Sequence, residues 1–387
     1  YKRQPVFPFR PNWARPVVER LEWLTDITEA KTGHEERIAL RNLPRRALEY
    51  TALLQGAALQ QLDALLWRHQ SQSWLLPVWT DPQPLQVPVE AGADFVPADT
   101  ALYAFAAGGH AVLWLDATRY EAVTVDAVSS DGITLSAPTT QAWPVGAHLY
   151  PAVQARMPFE VTAQRPSAAS GQITLRFELQ PVPALTADDA VLYRGTPVAL
   201  RRPNWVSPVQ QRWQRKLQRV DYETGYVFQD DLSGVPSLLR SHRLLLRNRA
   251  EISTWRGWLH ARQGRAWAFW SPQWQHDLTL AAPITAAGNT ISVRAYGATL
   301  HDLGAGRRDI ALHHRRTGAW AFRRVQGYFG VDGLEVLTLD APVGWSAAPG
   351  EVFATWLCLS RLEADAVELA WHTPGVAVAV YDVRSVQ

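Results

Sequence analysis

The side chains that could carry a reaction are few in this 387-residue sequence, and their spacing argues against one. Of the eleven His, His34, His69, His110, His148, His242, His260, His276 and His301 stand alone. His313 and His314 are neighbours, and successive side chains of a strand point to opposite faces. The single cysteine, Cys358, sits in the apolar run Trp356-Leu357-Cys358-Leu359. That setting predicts a buried, inert thiol, and one Cys can form neither an intrachain disulfide nor a Cys-based metal site. Glu35-Glu36 and Asp230-Asp231 are adjacent acid pairs. Glycoside hydrolysis needs two acids flanking a cleft, about 5–9.5 Å apart, so solvated or Arg-paired surface acids are the expectation. No G-x-S-x-G elbow, P-loop or H-E-x-x-H is present. The sequence therefore predicts no enzyme, no metal site and no cofactor.

Tryptophan is the remaining candidate for recognition chemistry. There are 18 Trp against 11 Tyr and 11 Phe, which inverts the usual order. Indole faces stack on sugars, so a carbohydrate-binding or host-receptor-binding module is one reading. It rests on Trp without a repeat partner, such as Trp114 and Trp345. Trp and Arg are also enriched at protein–protein interfaces, and core and interface use is the preferred reading.

The elements that must position these residues occur twice. Arg10-Pro11-Asn12-Trp13 returns as Arg202-Pro203-Asn204-Trp205, 192 residues on. The register holds without a gap from Tyr1/Tyr193 to Pro44/Pro236, with 14 identities in 44 positions, too many for chance. With one inserted residue, Gln70 meets Gln263 and Trp74 meets Trp267. Asp131-Gly132 and Asp332-Gly333 follow as matching turns. Such a period is far longer than that of solenoids or propellers and predicts a duplicated domain.

Each copy opens extended, because Pro5, Pro8, Pro11 and Pro16 forbid a helix. One amphipathic helix follows, with Leu59, Leu62, Leu65, Leu66 and His69 on one face, and Ile252, Trp255, Trp258, Leu259 and Arg262 in the second copy. Strand signals then dominate. The predicted class is mostly β (α+β): two tandem sandwich- or barrel-like units, 1–192 and 193–387. Each has one main helix and a β-rich insert, at about 86–150 and 281–352.

Thr32-Gly33-His34-Glu35-Glu36-Arg37, then Arg45-Arg46-Ala47-Leu48-Glu49-Tyr50, a helix and a Trp-bearing strand together resemble a phage-tail family. Its members are the distal tail proteins of gene transfer agents and long-tailed siphophages. The second copy supplies the last element best, as Arg262-Gln263-Gly264-Arg265-Ala266-Trp267-Ala268-Phe269-Trp270. The resemblance spans most of each copy, and the tandem duplication departs from the family. It implies a structural protein of the virion tail tip or baseplate, assembled in the host cytoplasm. Its ring would join the tail tube protein to the hub proteins, with DNA passing through the lumen without specific binding. Three chains would present six similar units, so the expectation is a homotrimer acting as a pseudo-hexamer, the alternative being a homohexamer.

The proline-fixed segments Arg10-Pro11-Asn12-Trp13 and Arg202-Pro203-Asn204-Trp205 make Arg10, Asn12, Trp13, Arg202, Asn204 and Trp205 the candidate assembly-interface residues. They are either docking arms or simply the start of each unit's first strand. Lys+Arg is 38 and Asp+Glu 36, so no basic surplus points to polyanion binding. All but three of the basic residues are Arg (the lysines are Lys2, Lys31 and Lys216), as a GC-rich genome gives. No membrane span is expected, since the longest apolar stretch, 101–115, is interrupted by Gly108-Gly109-His110. No apolar leader opens the sequence, and a few residues are expected before Tyr1.

Overall fold

The computed structural model describes residues 4–181, 185, 191–206, 208–299 and 307–386. Tyr1, Lys2 and His301, named above, lie outside the described residues. What is described is mostly β, in large antiparallel sheets, with two α-helices.

In the first half, β1 (Val17–Glu29) and β2 (Glu35–Gln55) form a long hairpin. Its turn needs Gly33 at φ 92°, a conformation glycine adopts without penalty. Apolar residues alternate along β1, so Val17, Leu21 and Trp23 face the core. α1 (Ala57–His69) lays Leu59 and Leu62 on the same core. β3 (Trp74–Pro77) leads into β4 (Gln83–Pro84), β5 (Phe95–Pro97), β6 (His110–Trp114), β7 (Tyr120–Ser129) and β8 (Gly132–Leu135). β9 (His148–Arg156) then returns between β3 and β6. The hairpin of β10 (Ala163–Ser167) and β11 (Ser170–Leu179) closes the half, with β11 against β2.

A short pair, β12 (Leu192–Tyr193) and β13 (Thr196–Pro197), opens the second half. β14 (Gln211–Gln214), β15 (Leu217–Asp221), β16 (Val227–Asp231) and β17 (Ser237–Leu246) follow. α2 (Arg249–Arg262) starts at Asn248, whose side chain accepts the Glu251 amide at 2.9 Å and so caps the helix. Then come β18 (Phe269–Pro272), β19 (Thr290–Arg294), β20 (Asp309–His314), β21 (Trp320–Val331) and β22 (Leu334–Leu339). β23 (Val352–Leu362), β24 (Ala366–Thr373) and β25 (Val376–Ser385) complete the chain.

Strand pairings recur between the halves. Thr25↔Ala39 and Glu29↔Glu35 in β1–β2 reappear as Leu217↔Asp231 and Asp221↔Val227 in β15–β16. The bridge Val6↔Leu75 reappears as Val198↔Trp270. A bulge between Val125 and Ala127 reappears between Val325 and Gly327. One expected pair is corrected. Trp74↔Ala155 and Pro77↔Ala152 are matched by Phe269↔Ser360 and Pro272↔Leu357, so Trp74 corresponds to Phe269 and Trp79 to Trp274. α2 is one residue longer than α1 and runs into a turn at Gln263-Gly264, which shifts the alignment past Trp267. Trp267 is exposed, whereas Trp74 is fully buried.

The largest core takes residues from both halves, from Val6 to Leu179 and from Leu244 to Val383. Smaller cores lie under each insert, from Leu85 to Leu149 and from Leu278 to Trp356. Buried Tyr50 ties the N-terminal arm to the main core. Its hydroxyl donates to the Phe9 carbonyl at 3.0 Å and accepts Trp79 Nε1 at 3.2 Å. Tyr50→Phe leaves both groups buried and unpaired. It is expected to lower unfolding free energy by about 1–3 kcal/mol in urea titrations, with an unchanged slope.

Candidate functional site

The two halves meet along one strand edge. β1 pairs with β24 in antiparallel register from Val17↔Trp371 to Glu22↔Ala366. The alternation that buries Val17, Leu21 and Trp23 also buries Glu19, which lies on the same face. Its carboxylate accepts Arg46 Nε at 2.7 Å, Trp371 Nε1 at 3.1 Å and the guanidinium of Arg256 from α2. Burial by itself would raise the Glu19 pKa, but Arg256 and Arg46 overcome it and hold the group at about 2.

Further along, Asp365 accepts the Thr25 amide at 3.0 Å, the Thr25 hydroxyl at 2.7 Å and the Arg265 amide at 2.9 Å. Burial opposes its charge, and these hydrogen bonds still keep its pKa below the usual carboxylate value. Trp23 is edge-on to His260 at 5.7 Å, and Arg361 grips Glu35 through two bonds of 2.7 Å. Glu35 is thus an Arg-paired acid of the junction.

Register identifies the counterparts of the two junction strands. Arg20↔Ala47 in β1–β2 corresponds to Arg212↔Leu239 in β14–β17. Ala163↔Ile173 in β10–β11 corresponds to Leu369↔Ala379 in β24–β25. β14 therefore matches β1, and β10 matches β24. β1 and β24 are paired on both edges, whereas β14 pairs only with β17 and β10 only with β11 among the described residues. All five residues of β10 are exposed.

Large apolar side chains crowd these open edges. Trp213, which takes the position of buried Leu21, is 60% exposed. Phe159, just before β10, is 95% exposed. Trp67 on α1 is 92% exposed. Aligning Leu59 and Leu62 with Ile252 and Trp255 puts Trp67 at the place of His260, which packs on Trp23 across the junction. Unpaired, apolar strand edges are the usual template for adding another chain.

The candidate residues from the sequence lie elsewhere. Both proline arms are held by their own halves: Phe7 and Asn12 donate backbone N–H to Leu75 and Thr51, and Ala199 and Asn204 donate to Trp270 and Arg243. Arg10 covers Trp114 at 5.1 Å, and Arg202 covers Phe353 at 5.9 Å. Trp13 is half-buried against the main core, while Trp205 is exposed. The six residues form two separate, corresponding arms.

Trp114 is a correction: it is 5% exposed and donates Nε1 to the Pro8 carbonyl at 2.8 Å. It packs edge-on against Trp79 and Tyr150, so no sugar can reach its faces. Trp345 is half-buried on the second insert core, 5.3 Å from the His314 ring. Cys358 is buried, with Gln273 Nε2 at 3.3 Å from its sulfur. Among the described residues, no three His, Cys, Asp or Glu lie close enough to hold a metal ion, and no helix is long and apolar enough to cross a membrane.

Neither a family model nor a curated protein matches the chain.

Sequence reasoning passed over Glu19 and Asp365. For Glu19 the signal was present, as a lone acid on the apolar face Val17-x-Glu19-x-Leu21-x-Trp23. Glu19→Gln would leave Arg46 and Arg256 buried without a counter-charge, a loss of about 3–5 kcal/mol. The folded pKa of Glu19 lies below the ordinary 4.5, so its contribution is complete above that value and is lost as pH falls toward 2. Acid titrations monitored by circular dichroism should show wild type losing stability across that window and Glu19→Gln losing less.

Proposed function

We propose that the chain is a tandem duplication and a structural ring component, with β14 of one copy pairing with β10 of the next. The β1–β24 junction carries this reading, because both of its edges recur unpaired. Transferring its register sets Gln211 opposite Ala163, Arg212 opposite Thr162 and Trp213 opposite Val161 of the neighbour. Such a contact is heterologous, so it propagates from chain to chain, and a rotation that divides the full turn closes it into a ring. Three chains give six similar units.

The resemblance to distal tail proteins adds the setting. In it the ring belongs to a phage tail tip or baseplate in the virion, between the tail tube protein and the hub proteins. DNA passes its lumen, and the protein performs no catalysis. The near balance of 38 basic and 36 acidic residues suits a conduit that does not hold its cargo.

Native mass spectrometry and negative-stain imaging test the assembly. A trimer with a central hole is expected, and a stable monomer or six chains per ring would refute it. Trp213→Asp and Phe159→Asp should each give folded monomers with the circular-dichroism spectrum of the wild type, since each removes an apolar contact of about 1.5–3 kcal/mol between chains. In gel shifts at physiological salt, duplex DNA should bind only weakly; a tight, salt-sensitive shift contradicts the conduit.

A further inference from the structure

The halves differ beneath their arms. Trp114 lies opposite Tyr120 and His148, and the second half has His313 opposite Trp320 and Phe353. The same register places Thr355 where the first half has Tyr150. In the first half the indole of Trp114 fills the space under the arm. In the second half the smaller imidazole leaves a cavity of about 450 Å³, within the range that takes small ligands.

Its walls are aromatic. Trp274 stacks parallel to Phe353 at 6.3 Å and stands edge-on to Trp320 at 5.9 Å. The His313 ring lies flat on Trp320 at 4.3 Å. Its rim is cationic: Arg202 and Arg315 line it, no carboxylate does, and neither forms an ion pair among the described residues. Burial, then Arg315, His314 and Arg202, push the His313 pKa below its ordinary value, as expected beside uncompensated positive charge.

We propose that this cavity binds one ring of an acidic saccharide, with its C–H groups against the aromatic lining and its carboxylate on Arg202 and Arg315. Guanidinium forks match carboxylate geometry, and an aromatic lining suits the C–H groups of a sugar. A nucleic-acid strand requires a basic groove that follows successive phosphates, whereas here two guanidiniums converge on one depression. The site lies wholly in the second half and stands whether or not the chains form rings.

Calorimetry on the full chain tests it with tetragalacturonate, a hyaluronan tetrasaccharide and sialyllactose, against neutral maltotetraose and an eight-residue oligothymidylate. At least one acidic sugar should bind, and at least tenfold more tightly than maltotetraose. His313→Trp, which restores the first half's own filling, should abolish binding. Arg315→Ala and Arg202→Ala, both exposed positions that leave the fold intact, should each weaken it at least tenfold. No binding of any acidic sugar, equal binding of maltotetraose, tighter binding of oligothymidylate, or full binding by both arginine variants would overturn the proposal.

Discussion

Glu19 is buried where β1 meets β24, and the way its charge is compensated decides how the halves sit together. Its three partners come from β2 (Arg46), α2 (Arg256) and β24 (Trp371). A buried carboxylate is costly unless each lone pair is used, and only one arrangement of these elements uses them. An apolar residue at this position would also bury area, but it would not discriminate between strand registers. A slip of one residue turns Glu19 to the other face and leaves both guanidiniums unpaired. The ladders of β1–β2 and β24–β25 follow from that fixed point.

The halves agree in backbone pairing and differ in what fills the space between strands. Bulge positions, the arm bridges and the helix placement coincide, while Trp114 and His313, or Tyr150 and Thr355, do not. Backbone pairing is restrictive, because each ladder needs its partners in register. Side-chain filling tolerates change where a cavity can open to solvent. The surface follows the same division. Residues matching the junction are buried where the halves meet and aromatic and bare at the open edges, as with Leu21 and Trp213, or His260 and Trp67.

Much of the architecture was legible before any coordinates. Proline placement, helical spacing and alternation gave the extended arms, both helices and the mostly β class, because these are local consequences of residue type. The matched sequence anchors of the two halves coincide with recurring strand pairings up to the helices. Beyond them one extra residue was allowed for α2, but the turn at Gln263-Gly264 that follows adds two more, so Trp74 was matched to Trp267 instead of Phe269. Trp114 was misjudged because burial is not a property of residue type. Its indole is covered by Pro8 and Arg10, more than 100 residues earlier in sequence. Asp365 and the open edges were invisible for the same reason, since strand neighbours remote in sequence define them.

The junction also sets a timetable. Arg20 and Glu368 are 348 residues apart, and Glu19 and Trp371 are 352 apart. During synthesis the first half emerges with β1 open, Glu19 paired with Arg46 but lacking Arg256 and Trp371, and Trp23 lacking His260. The largest core can close only when residues up to Val383 have left the ribosome. Contacts of such span are slow to form, and the interval leaves an apolar edge bare. That edge is the counterpart of the one β14 presents in the finished protein. A nascent chain therefore has two candidate mates for β1, its own β24 and the exposed β10 of a finished neighbour. Only β24 arrives together with α2 and Arg256, so the buried carboxylate favours closure within the chain over exchange between chains.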